Sequence, residues 1–213
     1  MDENLASKPP KIVNDSNVIV RDGKQSDKDG INYIISQGFM EDVLFIIGKT
    51  NDVEKDEKAC LSMVNSIKKD VKDVLVAEKN GKIVGICEMK YSNTKDNDDN
   101  AAKEFSLLTK LKCFLSFGMS EHLLKLEDGE CHLNLLAVDK ELRGNGVGKI
   151  LLHSAHQEAI RRGFRKIFLF VYLENFQGKR LYESFGYLPK TLFIINKYFA
   201  FGNKGGYKME KKL

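Results

Sequence analysis

The chain has 213 residues, 42% hydrophobic and 30% charged, enough for a single domain with a real core. Its net charge of +4 arises from 34 basic and 30 acidic residues that are interspersed without a basic run, so no nucleic-acid partner is expected. No apolar run approaches the roughly 18 residues of a membrane span, the four scattered cysteines (Cys60, Cys87, Cys113, Cys131) form no C-x-x-C pair, and the opening MDENLASKPPK lacks a secretory pattern; a reduced, cytoplasmic protein without membrane contact is expected.

Residues 1–17, with Pro9-Pro10, read as a loose tail, and 18–213 as one domain. VIVR (18–21) predicts a strand and DGKQSDKD a loop. Residues 31–47 carry Ile31, Ile34, Ile35, Phe39, Val43 and Ile46 at helical spacing, with a break near Gly38. A charged link at 49–58 leads to a helix over 59–69. Two β-rich runs flank Asn80-Gly81, the preferred two-residue hairpin turn. An insertion at about 92–128 follows: a polar, acidic loop (92–104) and an amphipathic helix (105–126). CHLNLLAV (131–138) predicts a strand, 147–162 a helix closed by Gly163, KIFLFV (166–171) a strand, and 175–185 a helix. TLFIINKYFAF and YKMEKKL pair as a final hairpin around GNKGG. The pattern is mixed α/β, with an antiparallel start and a βαβ unit near the C-terminal half.

The chemistry concentrates in AVDKELRGNGVGKILL (137–152), where Gly144, Gly146 and Gly148 precede a helix. A glycine inside a helix costs about 1 kcal/mol relative to alanine, so such a cluster serves a tight turn or a close approach. Strand, glycine loop and helix N-terminus together make an anion site, because the first helical N–H groups lack internal partners. Two common versions are excluded. Lys149 is followed by Ile150 rather than the hydroxyl of a P-loop, and G-x-G-x-G lacks the dinucleotide spacing and its acidic partner about 20 residues on.

Arg143-x-x-Gly146-x-Gly148 after an apolar strand resembles the R/Q-x-x-G-x-G/A signature of the GCN5-related N-acetyltransferases, the GNAT family. NFQGKRLYESFGY (175–187) resembles that family's N-x-x-A-x-x-L-Y-x-x-x-G-F through Asn175, Leu181, Tyr182, Gly186 and Tyr187, with Gly178 in the alanine position. The resemblance is close over 131–188, looser over 74–91, and leaves 92–126 unmatched. It implies a mostly antiparallel central sheet with splayed fourth and fifth strands, flanked by helices. It implies acetyl-CoA as acetyl donor, with the pyrophosphate on Arg143, Gly144, Asn145, Gly146, Val147, Gly148 and Lys149. The pantetheine arm would lie along Leu136, Ala137 and Val138, the thioester carbonyl near the Leu136 N–H, and Asn175 and Gly178 on the other side. A primary amine, small-molecule or peptide, would attack directly in a ternary complex, and Tyr182 would protonate the departing thiolate.

Plainer readings stand beside these. Tyr182 reads equally as a core tyrosine, Asn175 as a helix N-cap, and Arg143 and Lys149 as solvated charges. By alternation Glu130, His132 and Asn134 share one strand face, with Leu133, Leu135 and Ala137 opposite; Glu130 or His132 could deprotonate the amine, or simply end a strand in solvent. Cys131, opposite His132, reads as a core residue. His153 and His156, three apart on a helix, signal no third ligand, so no metal is expected, and Asp96, Asp98 and Asp99 read as a solvated loop. The rival functions are a non-catalytic acyl-CoA-binding or regulatory module of the same fold, and an interaction protein that docks a partner through 105–126, with a homodimer left open.

Overall fold

Asn80 and Gly81 both adopt positive φ, 51° and 76°, the backbone that a two-residue hairpin turn needs. They join β3 (Val74–Lys79) to β4 (Lys82–Tyr91). The computed structural model describes residues 11–12, 17–68, 70–92, 126–194 and 205–213, and there the hairpin is part of an eight-stranded sheet. The other strands are β1 (Lys11–Ile12), β2 (Val18–Asp22), β5 (Glu130–Val138), β6 (Lys166–Tyr172), β7 (Leu188–Ile194) and β8 (Gly205–Lys212). Their order is β1-β2-β3-β4-β5-β6-β8-β7, antiparallel throughout except for β5 and β6, which run parallel. The helices are α1 (Lys28–Gly38), α2 (Met40–Ile47), α3 (Val53–Ile67), α4 (Val147–Arg161) and α5 (Phe176–Ser184).

The sheet separates two cores. On one face Leu151, Leu152 and Ala155 of α4 pack with Cys131, Leu133, Ile167 and Leu169. On the other, Ile31 and Ile34 of α1 and Val64 of α3 pack with Val76, Ile86 and Ala137. The strand β5, helix α4 and strand β6 are the expected βαβ unit. Gly163 closes α4 with φ 85°, and its N–H bonds to the Ile160 carbonyl.

The elements depart from expectation in three places and meet it in a fourth. Lys11 and Ile12, expected in the loose tail, pair with Val20 and Ile19. The supposed loop before residue 31 turns through Gln25–Asp27 and is helical from Lys28. The charged link is helical from Val53 onward, because Asp52 caps the N–H groups of Glu54 and Lys55. The break near Gly38 is real and divides α1 from α2. The inserted loop and helix expected over 92–126 lie outside the described residues, save Ser92 and Leu126, which are not helical; the turn of the final hairpin lies outside them too. No helix among the described residues is long and apolar enough to cross a membrane.

Two irregularities in β5 position everything that follows. Its register against β4 shifts between Glu88 and Met89, which face Leu135 and Leu133, so Asn134 is an extra residue, a β-bulge. The bulge corrects the alternation read from the sequence. Leu135 and Ala137 join the α1 core, whereas Cys131 and Leu133, before the bulge, belong to the α4 core. The second irregularity is that β5 and β6 pair only from Glu130 with Lys166 to Leu133 with Leu169. Beyond that point β5 stays with β4 as far as Val138, and β6 stays with β8 as far as Tyr172. The two strands part, as expected of the fourth and fifth strands counted from Val18.

The seat of α4 on the sheet depends on Gly85, where a Cβ would stand 2.9 Å from Leu151 Cδ1 and 3.2 Å from Val147 Cγ1. Gly85→Ala should destabilise the fold by about 1–3 kcal/mol through overpacking, and Leu151→Ala by about 2–5 kcal/mol through a cavity. The double variant should be more stable than the sum of the two losses, because each change relieves the other. Strict additivity in denaturant melts would show that the two residues do not press on one another.

Candidate active site

Between Asn134 and Val138 the β5 edge that faces β6 has no strand alongside it among the described residues. The Asp139 N–H donates to the Val84 carbonyl at 3.0 Å, on the β4 side. Alternation along the strand then turns the N–H and C=O of Leu136 and Val138 toward the gap. This is a strand edge offering main-chain donors and acceptors to an extended guest.

At the end of β5 the chain passes through a short helical turn, Lys140–Leu142, into the glycine loop. Gly144 and Gly146 have φ of 82° and 83°, in the left-handed region, and a Cβ at either would meet nothing within 4 Å. Gly146 is the N-cap of α4, which gains no side-chain cap and has no acidic residue in its first turn. The Lys149 N–H bonds to the Gly146 carbonyl at 2.9 Å, which leaves the Val147 and Gly148 N–H groups as the unbonded donors at the positive end of a 15-residue helix. Gly148 differs from the other two. It lies within the helix, where a Cβ would be in ordinary contact with Leu181 at 3.5 Å and Val138 at 3.8 Å. Two glycines shape the loop, and the third sits where α4 passes α5 and β5 with room for a methyl group.

Arg143, Asn145 and Lys149 are exposed around this loop. The guanidinium of Arg143 donates through Nε to the Val138 carbonyl (3.1 Å) and through Nη2 to the Gln37 carbonyl (3.4 Å), tying the loop to the end of α1. Across the gap, Asn175 caps α5, its Oδ1 accepting from the Gly178 N–H at 2.8 Å. A Cβ on Gly178 would stand 2.7–2.9 Å from that amide side chain. Glycine in place of the alanine of the resembled motif thus makes room for the capping asparagine. Tyr182 is buried in the α4 core, edge-on to Tyr187 with ring centroids 5.8 Å apart, and burial pushes its phenol pKa up, so it stays protonated at neutral pH.

Glu130 and His132 are both buried, so neither ends the strand in solvent. Glu130 is engaged by Lys166 and accepts from the Glu127 N–H. His132 stacks on Phe168 at 4.7 Å with Phe170 edge-on at 5.6 Å. Burial, with Lys90 and Lys208 nearby, lowers its pKa to about 3, so it is a neutral imidazole that resists protonation. Glu130 is thus held by an ion pair and His132 enclosed by aromatic rings. Cys131, on the opposite face, has its thiol pushed up to about 12 by burial and is inert. His156 is buried against the Tyr187 hydroxyl (2.9 Å), while exposed His153 meets Gln157, so the two imidazoles do not converge. Asp96, Asp98 and Asp99 lie outside the described residues.

Two polar features near the gap escaped the sequence reading. Buried Glu88 on β4 binds Lys68 and accepts from the Asn134 side chain at 2.7 Å, holding the bulge. Its signal was a lone carboxylate within the apolar run IVGICEM. The second is a hydrogen bond from the Tyr172 hydroxyl, at the end of β6, to the Asp42 carboxylate on α2. Nothing local in the sequence marks that pair, whose members are 130 positions apart.

A family model described as the acetyltransferase (GNAT) family matches residues 48–187. Among solved structures, a GCN5-related N-acetyltransferase from Kribbella flavida matches with 19% identity and a TM-score of 0.56, over 92% of this chain and 98% of its own. The PaiA N-acetyltransferase of Thermoplasma acidophilum, solved in complex with coenzyme A, matches at 15% and 0.52 over 92% and 99%. The ribosomal-protein-S18-alanine N-acetyltransferase of Escherichia coli matches at 15% and 0.53 over 92% and 93%. No curated protein matches.

The loop geometry separates two substitutions. Gly148→Ala should leave the fold intact and its melting temperature unchanged or raised, since its methyl finds ordinary contacts. Gly146→Val should cost only about 1–3 kcal/mol of stability, from forcing a β-branched residue to φ 83°, yet abolish coenzyme A binding in calorimetry. A folded Gly146→Val protein with wild-type affinity would show that the glycine merely turns the chain.

Proposed function

The chain belongs to the acetyltransferase (GNAT) family, and from that premise we propose that it transfers an acetyl group from acetyl-CoA to a primary amine, by direct attack in a ternary complex. The observation that carries the reading is the conjunction of a helix N-terminus without a side-chain cap and a strand edge that has no partner among the described residues. The donor has two parts with matching needs. Its pyrophosphate needs N–H donors and positive potential, offered by the Gly144–Gly148 backbone at the start of α4, with Arg143 and Lys149 beside it. Its pantetheine arm carries two amide groups, which Leu136 and Val138 can bond as a neighbouring strand would. Ala137 lies between them, and Asn175, whose cap uses only its Oδ1, keeps its amide N–H donors for the other side of the arm.

The acetyl thioester brings an activated acyl group, and the chain's residues supply orientation and proton control. The Leu136 N–H would polarise the thioester carbonyl as charge builds on its oxygen. Tyr182 holds a proton in a dry environment and gives it, or a strong hydrogen bond, to the departing sulfur. Its raised pKa keeps the proton on the phenol until a thiolate forms. Packing between Tyr182, Tyr187 and α4 fixes the ring, so little motion is needed.

Two measurements test this. Millimolar coenzyme A should bind and raise the melting temperature through RT ln(1 + [L]/Kd), and free-thiol release from acetyl-CoA should appear with at least one member of a panel of amines and peptides. Tyr182→Phe keeps the ring and should leave coenzyme A affinity unchanged while lowering kcat by about 10²-fold. Binding without thiol release from any amine would favour a non-catalytic acyl-CoA-binding module, and the absence of binding would defeat both readings.

A further inference from the structure

Helix α4 carries a buried polar chain that acetyl transfer in the gap leaves unused. The Lys211 amine of β8 donates to His156 Nδ1 at 3.3 Å, and His156 Nε2 lies 2.9 Å from the Tyr187 hydroxyl. The proton positions follow from what each group can give. An ammonium has no acceptor, so Nδ1 is bare, and the ring proton sits on Nε2 and is donated to the Tyr187 oxygen. Burial, with Lys211 and His153 nearby, lowers the imidazole pKa to about 4, so the ring is neutral at pH 7. The charge of Lys211 therefore meets a neutral acceptor and not a carboxylate. Lysines around it are placed differently. Lys166 pairs with Glu130, Lys179 with Glu183 at 2.6 Å, and Lys208 with Glu210 at 3.8 Å. Glu210, although next to Lys211 in the chain, points to the other face of β8 by alternation.

We propose that Lys211, held on the neutral imidazole of His156, is an acylation site of this protein, which takes an acetyl group from small acyl thioesters in solution. The ammonium first loses a proton to water. The free amine then attacks the thioester carbon, the C–N bond forms as the C–S bond breaks, and the proton shed by the nitrogen ends on the departing thiolate through water. The site is separate from the gap. Lys211 is level with Ile167 and Cys131 in the ladders, whereas the thioester of a donor in the gap would sit at Leu136. About 15 Å along the sheet and about 10 Å across it lie between them. A donor held in the gap does not reach this amine, so the inference is independent of the acetyl-transfer reading.

Three features suit Lys211 to this reaction. Burial pushes its amine below the ordinary lysine value, and each unit of such a fall makes the free, nucleophilic amine about tenfold more abundant at neutral pH. The hydrogen bond to Nδ1 uses one N–H and leaves the lone pair of the free amine for attack. The approach is open as well. The lysine stem runs past exposed Gly186, where a Cβ would stand 4.0 Å from Lys211 Cε, and a glycine there has no side chain to cover it.

The test treats the full chain at pH 7.5 with the acetyl thioester of N-acetylcysteamine, which lacks the nucleotide of coenzyme A. Mass spectrometry of the peptide 208–213, released by cleavage after Tyr207, then compares Lys211 with exposed Lys212 in the same molecule. Lys211 should be acetylated about tenfold faster, and the two should react alike in the denatured chain, where the fold no longer separates them. Gly186→Asp and Gly186→Asn put side chains of one shape beside the lysine, at a left-handed position that both residues tolerate. Only the first adds a negative charge, so Gly186→Asp should slow Lys211 about tenfold relative to Gly186→Asn. Gly146→Val, altered in the donor loop, should label Lys211 at the wild-type rate. Equal rates at Lys211 and Lys212 in the folded protein, a preference that survives denaturation, or equal rates in the two Gly186 variants would overturn the assignment. So would loss of labelling in Gly146→Val, which would trace the acetyl group to the gap.

Discussion

One extra residue in β5 governs this structure. Asn134 bulges from the ladder with β4, and pairing with β6 stops at Leu133, the residue before it. A bulge bends its strand and increases the local twist, and here it coincides with the point where the parallel neighbour is lost. The bulge is anchored by polar bonds rather than packing alone, with the Asn134 amide on buried Glu88 and Glu88 on Lys68 at the end of α3. A charge-assisted network at a half-buried position is costly to disrupt, which makes it a firm anchor for a backbone irregularity.

The features that the proposed function draws on lie about the gap that results. Below the bulge the strands are paired and their flanks filled, by Glu130 with Lys166 and by His132 between Phe168 and Phe170. Above it, the N–H groups of Leu136 and Val138 lie on an edge with no strand alongside among the described residues, the Val138 carbonyl accepts from Arg143, and the glycine loop adds the N-terminus of α4 at the far end of the same edge. Helix α4 and Tyr182 pack in the core on one face of the sheet, and α1 and α3 in the core on the other. Arg143 ties these parts together by reaching both the Val138 and the Gln37 carbonyls. Loop, strand end and the end of α1 are thereby held in one frame.

The sequence revealed the fold well where the signals were local. Asn80-Gly81 announced its hairpin, the Arg143–Gly148 signature its helix start, and the break near Gly38 the division of α1 from α2. It failed where geometry depends on register or on distant partners. Strict alternation put Leu133 with Leu135 and Ala137, because a bulge leaves no local mark; only the lone carboxylate of Glu88 hinted that the neighbouring strand held something polar. Glu130 and His132 looked like acid–base candidates because both are titratable and share a face. What the sequence did not show is their surroundings: Glu130 is buried beside Lys166 and His132 among aromatic rings. Helix α3 began earlier than its hydrophobic pattern suggested because Asp52 supplies a cap that tolerates a charged first turn. The Asp42–Tyr172 pair arises from tertiary packing alone.

The central claim is that the open edge of β5 receives the donor's arm as a substitute strand. Amide hydrogen exchange followed residue by residue, with and without coenzyme A, tests it most directly. The account predicts that the Leu136 and Val138 N–H groups exchange quickly in the free protein and are strongly protected on coenzyme A binding, while Cys131 and Leu133, already inside the paired ladders, change little. Binding of coenzyme A without any protection at Leu136 and Val138 would contradict it.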